Sequence, residues 1–151
     1  MKKRASGFTL IEILIVVAVI GILASVVLVG LGPVQRQGRD TRRIADLRSV
    51  QTALELFFNK NGEYPGANDA AFTWDDLEDA IVSGGIGVNR IPNDPRAGAG
   101  VQYEYGSDGT SYVLKATLED GNNPAFADDV DGVDAFGVDC EDARNAYCIE
   151  F

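Results

Sequence analysis

Hydrophobic and polar positions divide the chain into three stretches. From Ile13 to Leu31 no residue is charged and only Ser25 is polar, a run of 19 residues. That is close to the roughly 20 residues a helix needs to span a bilayer. Gly30-Leu31-Gly32-Pro33 closes the run and either weakens the helix or ends the membrane segment. In the second stretch Ile44, Leu47, Val50, Leu54 and Phe57 recur at spacings of three and four. This predicts an amphipathic helix with one apolar stripe. Asn59-Lys60-Asn61-Gly62 supplies a stop, so the helix is expected to end near Asn59. The third stretch begins at Glu63-Tyr64-Pro65. Thr73-Trp74-Asp75-Asp76-Leu77-Glu78 reads as a capped helix start, with an end near Ser83-Gly84-Gly85. Val101–Tyr105 and Tyr112–Leu118 alternate as strands do, and Gly106-Ser107-Asp108-Gly109 between them is a turn signal. An antiparallel hairpin packed on the apolar stripe of the helix follows.

Charge is spread unevenly over these stretches. Residues 1–60 hold nine Lys and Arg against four Asp and Glu, and residues 61–151 hold four against nineteen, for a net charge of -10. An acidic half with no basic face argues against nucleic-acid binding there. The chain has no histidine, which excludes a Ser-His-Asp triad, a Cys-His dyad and His-ligated zinc. Two cysteines are too few for an all-thiolate zinc site. Gly84-Gly85-Ile86-Gly87 fits neither a dinucleotide fingerprint nor a phosphate loop and reads as a turn. No constellation of residues supports an enzyme. Arg36, Arg39, Arg42 and Arg43 follow the apolar run. They read either as a patch for anionic headgroups or neighbouring acidic heads, or as a solvated helical face.

Lys2, Lys3 and Arg4 precede the apolar run, so the positive-inside rule keeps that end in the cytoplasm and sends the rest outward. A plain membrane anchor or signal peptide would explain this much. Glu12 does not fit the plain reading. A carboxylate within hydrocarbon costs on the order of 2.5–3.5 kcal/mol and usually has a partner or a function. The alternative is that Glu12 reaches the headgroup layer and is solvated there.

Residues 2–12, Lys-Lys-Arg-Ala-Ser-Gly-Phe-Thr-Leu-Ile-Glu, resemble the processing signal of type IV pilins and type II secretion pseudopilins. The resemblance implies that residues 1–7 form a basic leader, cut between Gly7 and Phe8 by a prepilin peptidase that also methylates the new amino terminus. It implies an α+β, pilin-like fold in which a long N-terminal helix, membrane-spanning in its first half, packs against a small antiparallel sheet. Residues 8–32 would be the transmembrane and assembly half of the stem helix. Residues 33–60 would be its amphipathic half, and 61–151 a globular acidic head. In a filament Glu12 would pair with the Phe8 amine of a neighbouring subunit. Two charges costly in an apolar bundle become tolerable together and fix the stagger of subunits. The implied partners are other copies of the chain in a helical filament, the peptidase and methylase, an inner-membrane assembly platform with its ATPase, and membrane lipid. The implied location is the inner membrane, single-pass with the head outside the cytoplasm, and a periplasmic or cell-surface filament after assembly. Many members carry a proline inside the apolar helix; here Gly30, Gly32 and Pro33 lie slightly later.

Gly62-Glu63-Tyr64-Pro65, Ile91-Pro92-Asn93-Asp94-Pro95, Tyr103 and Tyr105 resemble the major pseudopilin of type II secretion, although Arg96-Ala97 stands where that subfamily has Trp-Gly. This resemblance implies one calcium ion in a C-terminal loop and no organic cofactor. Residues 119–142 are rich in acids, and hard oxygen ligands at short spacing suit calcium. Asp128, Asp129, Asp131 and Asp134 are the candidate ligands, against the alternative of a solvated acidic loop. Cys140 and Cys148 would face an oxidising compartment, where a disulfide is favoured; two buried thiols are the alternative. A C-terminal disulfide loop resembles the surface pilins rather than the major pseudopilins. The leading functional expectation is therefore a filament subunit, with a non-polymerising, membrane-anchored calcium-binding module as the alternative.

Overall fold

The computed structural model describes residues 8–67, 71–141 and 145–151, with the side chains of residues 26, 28–30 and 133–135 outside that description. Two compact units are present, one ending at Gln35 and the other running from Arg36 to Phe151. A single helix, α1 (Leu10–Asn61), supplies residues to both.

In the first unit the apolar run of the helix has one polar residue, Ser25, whose hydroxyl donates to Ile22 O at 2.7 Å within the helix. Pro33 lies inside α1 and does not end it. Large apolar side chains stand exposed along this part, from Phe8 and Leu10 to Val34. Among the described residues, no helix is long and apolar enough to cross a membrane.

In the second unit the predicted stripe is the core face of α1. Leu47, Val50, Ala53 and Leu54 are buried, with Ile44 and Phe57 packed at the margin. The helix runs two residues past the expected stop, to Asn61. It ends because Gly62 takes a positive φ of 82°, which lets its amide donate to Phe58 O at 2.8 Å. The second helix, α2 (Trp74–Ser83), starts at the predicted cap. The Thr73 hydroxyl accepts from the Asp76 amide, and the Asp76 carboxylate accepts from the Thr73 amide. Trp74, Leu77 and Ile81 bury its inner face.

A three-stranded antiparallel sheet lies against these helices in the order β1 (Glu104–Ser107), β2 (Tyr112–Thr117), and the C-terminal strand β5 (Ala146–Glu150). Two shorter strands, β3 (Gly132–Ala135) and β4 (Val138–Cys140), form a separate hairpin. The central strand β2 is buried on both faces. Tyr112, Leu114 and Ala116 join the core of the helices, whereas Val113 joins a smaller cluster with Val138, Cys140 and Cys148. The unit is thus layered as helix, sheet and covering hairpin. The first hairpin is shorter than its sequence pattern: Val101–Tyr103 stay outside the sheet and the reversal falls at Asp108–Ser111. Its chemistry is local, since Asp108 Oδ1 accepts from the amides of Thr110 and Ser111, both at 2.8 Å.

Candidate functional site

The N-terminal end of α1 carries the first candidate constellation. Gly7 lies outside the described residues, and Phe8 is 85% exposed. Thr9 donates through its amide and its hydroxyl to Glu12 Oε2, at 2.8 and 2.6 Å, and the Glu12 amide donates to Thr9 Oγ1 at 3.3 Å. This is a reciprocal capping box, and it places a carboxylate on the positive end of the helix. Glu12 is thereby fixed beside Thr9, one helical turn from Phe8, with acceptor capacity left for a cation.

The second constellation was not expected as such. Arg43 is fully buried in the second unit. Its Nε and Nη2 donate to the two oxygens of Asp94 at 2.6 and 3.1 Å, and its Nη1 donates to Asp40 at 2.7 Å and Glu119 at 3.0 Å. Arg39 grips Glu119 through Nε and Nη2, both at 2.6 Å. Asp40 also accepts from the amides of Glu119 and Asp120 at 2.9 and 3.0 Å. Burial alone would lower the pKa of Arg43, but its hydrogen bonds to Asp94 and Asp40 outweigh it and hold the group above its ordinary value. The Arg39 hydrogen bonds hold Glu119 down at about 2. Both sequence readings of the arginines are corrected here for Arg39 and Arg43, which bind carboxylates of their own chain rather than lipid, neighbours or water. The cause is the supply of two acidic loops, at Asp94 and at Glu119–Asp120, beside the same helical turn. The i,i+3 pair Asp40 and Arg43 and the Asp94 of the Asn-Asp-Pro turn were the only local signals.

At the C-terminal end Cys140 and Cys148 form a disulfide that joins β4 to β5. The four candidate calcium ligands precede β4 in the chain. Asp128 is exposed after a 3-10 turn (Pro124–Ala127) and Asp131 is exposed before β3. Asp129 Oδ2 accepts from the Cys148 amide at 3.3 Å. Asp134 lies on β3 with its side chain outside the description, and Asp142 lies outside it altogether. Among the described residues no three carboxylates or thiolates are gathered as a metal site.

A long helix beginning at a Phe-Thr-x-x-Glu cap and backed by a small antiparallel sheet defines a pilin-like subunit, and comparison with known proteins agrees. Residues 2–28 match the family model of the prokaryotic N-terminal methylation motif. The chain is 30% identical over 107 residues to the type II secretion system core protein G of Aeromonas hydrophila, covering 62% of this chain and 69% of that one. It is 29% identical over 147 residues to the protein of the same name from Vibrio cholerae, covering 85% and 93%. It is also 37% identical over 72 residues to the type IV major pilin protein PilA of Myxococcus xanthus, covering 47% and 33%. No solved structure matches the chain. The chain belongs to the type IV pilin and type II secretion pseudopilin family.

Proposed function

We propose that this chain is a structural subunit of a type IV filament of the type II secretion kind. Residues 1–7 are a leader removed at the Gly7–Phe8 bond, and Phe8 is then methylated. Residues 8–32 hold the subunit in the inner membrane with the head outside the cytoplasm, until a platform and ATPase feed it into a filament. The observation that carries this reading is the processing motif placed directly before a helix whose described large apolar side chains, between Leu10 and Val34, stand exposed. Such side chains need either lipid or other copies of themselves around them. Glu12, fixed beside Thr9, supplies the counter-charge for a neighbour's Phe8 amine.

Mass spectra of the intact protein and of its N-terminal fragments, from the membrane fraction and from sheared surface material, test the proposal. A chain starting at Phe8 with one added methyl supports it. A chain that keeps residues 1–7 in cells holding the peptidase overturns it in favour of a non-polymerising anchored module. A surface pilus is the second reading, favoured by the Cys140–Cys148 loop; abundance of the methylated chain in the sheared fraction would select it. Calcium at the 128–134 segment stays a separate proposal. Titration of the full chain in detergent with calcium, with no saturable change in the millimolar range, removes it.

A further inference from the structure

Four steps of this chain place glycine directly after asparagine or aspartate: Asn61-Gly62, Asp108-Gly109, Asp120-Gly121 and Asp131-Gly132. Such steps are prone to internal imide formation, because glycine has no side chain to hinder attack by its own nitrogen on the preceding side chain. The reaction needs that side chain free to rotate onto the main chain. Three of the four steps are held. Asn61 ends α1, where its Nδ2 donates to Phe57 O at 3.0 Å and the Gly62 amide donates to Phe58 O at 2.8 Å. Asp108 Oδ1 accepts from the Thr110 and Ser111 amides, both at 2.8 Å, and from the Thr110 hydroxyl at 2.9 Å. Asp120 Oδ1 accepts from the Asn122 amide at 3.0 Å, and the Asp120 amide donates to Asp40 Oδ2 at 3.0 Å. A Cβ on Gly121 would stand 2.8 Å from Asn145 Oδ1, so that turn is also packed. Asp131-Gly132 has none of these restraints. Both residues are exposed, and among the described residues no hydrogen bond or ion pair holds the Asp131 side chain. Beyond its chain neighbours, no atom lies within 4 Å of where a Cβ on Gly132 would sit. Gly132 also opens β3 at the point where its pairing with β4 turns irregular.

We propose that Asp131-Gly132 is a modification site at which the folded chain converts to isoaspartate, and that the conversion frees β3 from β4. The Gly132 nitrogen attacks Asp131 Cγ and gives up its proton. The carboxyl gives up its hydroxyl, and one water leaves as a succinimide ring closes. Water then adds back. Opening at Cγ restores aspartate. Opening at the Asp131 main-chain carbonyl carbon leaves the chain running through Cβ and Cγ, with the former main-chain carbonyl as the free carboxylate. The product has the mass of the starting chain and one more atom in its main chain. That atom falls immediately before the paired positions Gly132 with Cys140 and Ala135 with Val138. β4 is anchored independently, because Cys140 is bonded to Cys148 of β5, so β3 is the strand that gives way. The site depends on neither membrane insertion nor assembly.

The test incubates the full chain in detergent at neutral pH with a chelator present, so that calcium has no bearing on the result. Incubation lasts until the same chain unfolded in urea has formed isoaspartate at its three Asp-Gly steps. After reduction of the disulfide, trypsin releases residues 116–144 as one peptide carrying both Asp120 and Asp131, and residues 97–115 carry Asp108. Electron-transfer fragmentation locates the isoaspartate. In the folded chain residue 131 is expected to hold about ten times the isoaspartate of 108 or 120, the factor set by one retained hydrogen bond to a charged group. Asp131→Glu, whose longer side chain does not close that ring, should remove the signal. Equal conversion at the three steps of the folded chain overturns the site, as does conversion led by 108 or 120, or a folded chain unconverted at 131. A lead of residue 131 that persists undiminished in urea assigns the reactivity to local sequence and overturns the structural argument. In hydrogen exchange, the amides of residues 132–135 should exchange faster in the incubated chain than in Asp131→Glu incubated alongside; equal exchange overturns the release of β3.

Discussion

Replacing Arg43 by methionine should cost the second unit about 3–5 kcal/mol, the range for breaking a buried pair by removing one partner. The structure says where that cost falls. Asp40 keeps the amides of Glu119 and Asp120, and Glu119 keeps Arg39. Asp94, buried like Arg43, keeps only the Arg96 amide. The penalty is thus chiefly one buried carboxylate stripped of its guanidinium. The same reasoning predicts that Arg43→Met combined with Asp94→Asn is less damaging than the sum of the two single changes, by about 1–3 kcal/mol. Arg43→Lys should recover only part of the loss, because an ammonium cannot reproduce the fork that spans both Asp94 oxygens. Denaturant titration of the full chain in detergent measures all four variants. Trp74, the sole tryptophan, is a well-placed reporter: it is buried and its Nε1 donates to Pro92 O at 3.1 Å, two residues from Asp94. A loss under about 1 kcal/mol for Arg43→Met, the range of an exposed ion pair, would refute the argument that this network is a buried clamp.

Four further outcomes are expected. Glu119 is held at about 2 in the folded chain against an ordinary value of 4.5. Its contribution is therefore full above about pH 4.5, falls as pH drops toward 2, and amounts to about 3 kcal/mol; Glu119→Gln should flatten a stability curve measured across that window. Opening the Cys140–Cys148 loop by Cys148→Ser should cost about 2–3 kcal/mol on the chain-entropy model, read in the same denaturant titration. Gly106→Ala should cost about 1–3 kcal/mol, because its Cβ would stand 2.6 Å from Phe136 O at the tip of the β3–β4 hairpin; hydrogen exchange should show that hairpin loosening first. Glu12→Ala should leave membrane insertion intact and sharply reduce filament yield; normal yield would remove the pairing role assigned to that carboxylate.

What the sequence disclosed and what it hid divide along the range of the interactions involved. The stripe of Leu47, Val50 and Leu54, the Thr73–Asp76 cap and the Gly62 stop all rest on residues a few positions apart, so periodicity and capping chemistry expose them. The first hairpin was legible in kind, but its edges moved because the Asp108 side chain, together with Gly109 at a φ of 91°, sets the reversal. Strand β5 and the β3–β4 hairpin were not read. Their segments, Ala146–Glu150 and Gly132–Cys140, are short and carry acids and cysteines that drew attention to ligands instead. The clamp was hidden for a stronger reason. Arg43 meets Asp94 across 51 positions and Glu119 across 76, and no local pattern encodes such a pairing.

The place of the clamp in the second unit follows from where the apolar stripe begins. Ile44 is the first stripe residue of α1, and only polar or charged side chains and Gly38 occupy Arg36–Arg43. Hydrophobic burial cannot hold a loop against those turns, so any attachment there must be polar. A polar attachment is stable only if its buried charges are matched. Arg43 meets that condition with three carboxylates, and Asp40 meets it with a guanidinium and two amides. Such a match is also specific in register. A loop shifted by one residue would present Asn93 or Pro95 to Arg43 in place of Asp94 and leave a buried guanidinium half satisfied, whereas an apolar contact would tolerate the slip. The clamp therefore fixes which residues of the 90–95 and 119–120 loops lie on α1. If that is its role, Asp94→Asn should loosen the 90–95 loop on α1, read as faster amide hydrogen exchange across that loop than in the wild type. Unchanged exchange across the loop would show instead that other contacts hold its register.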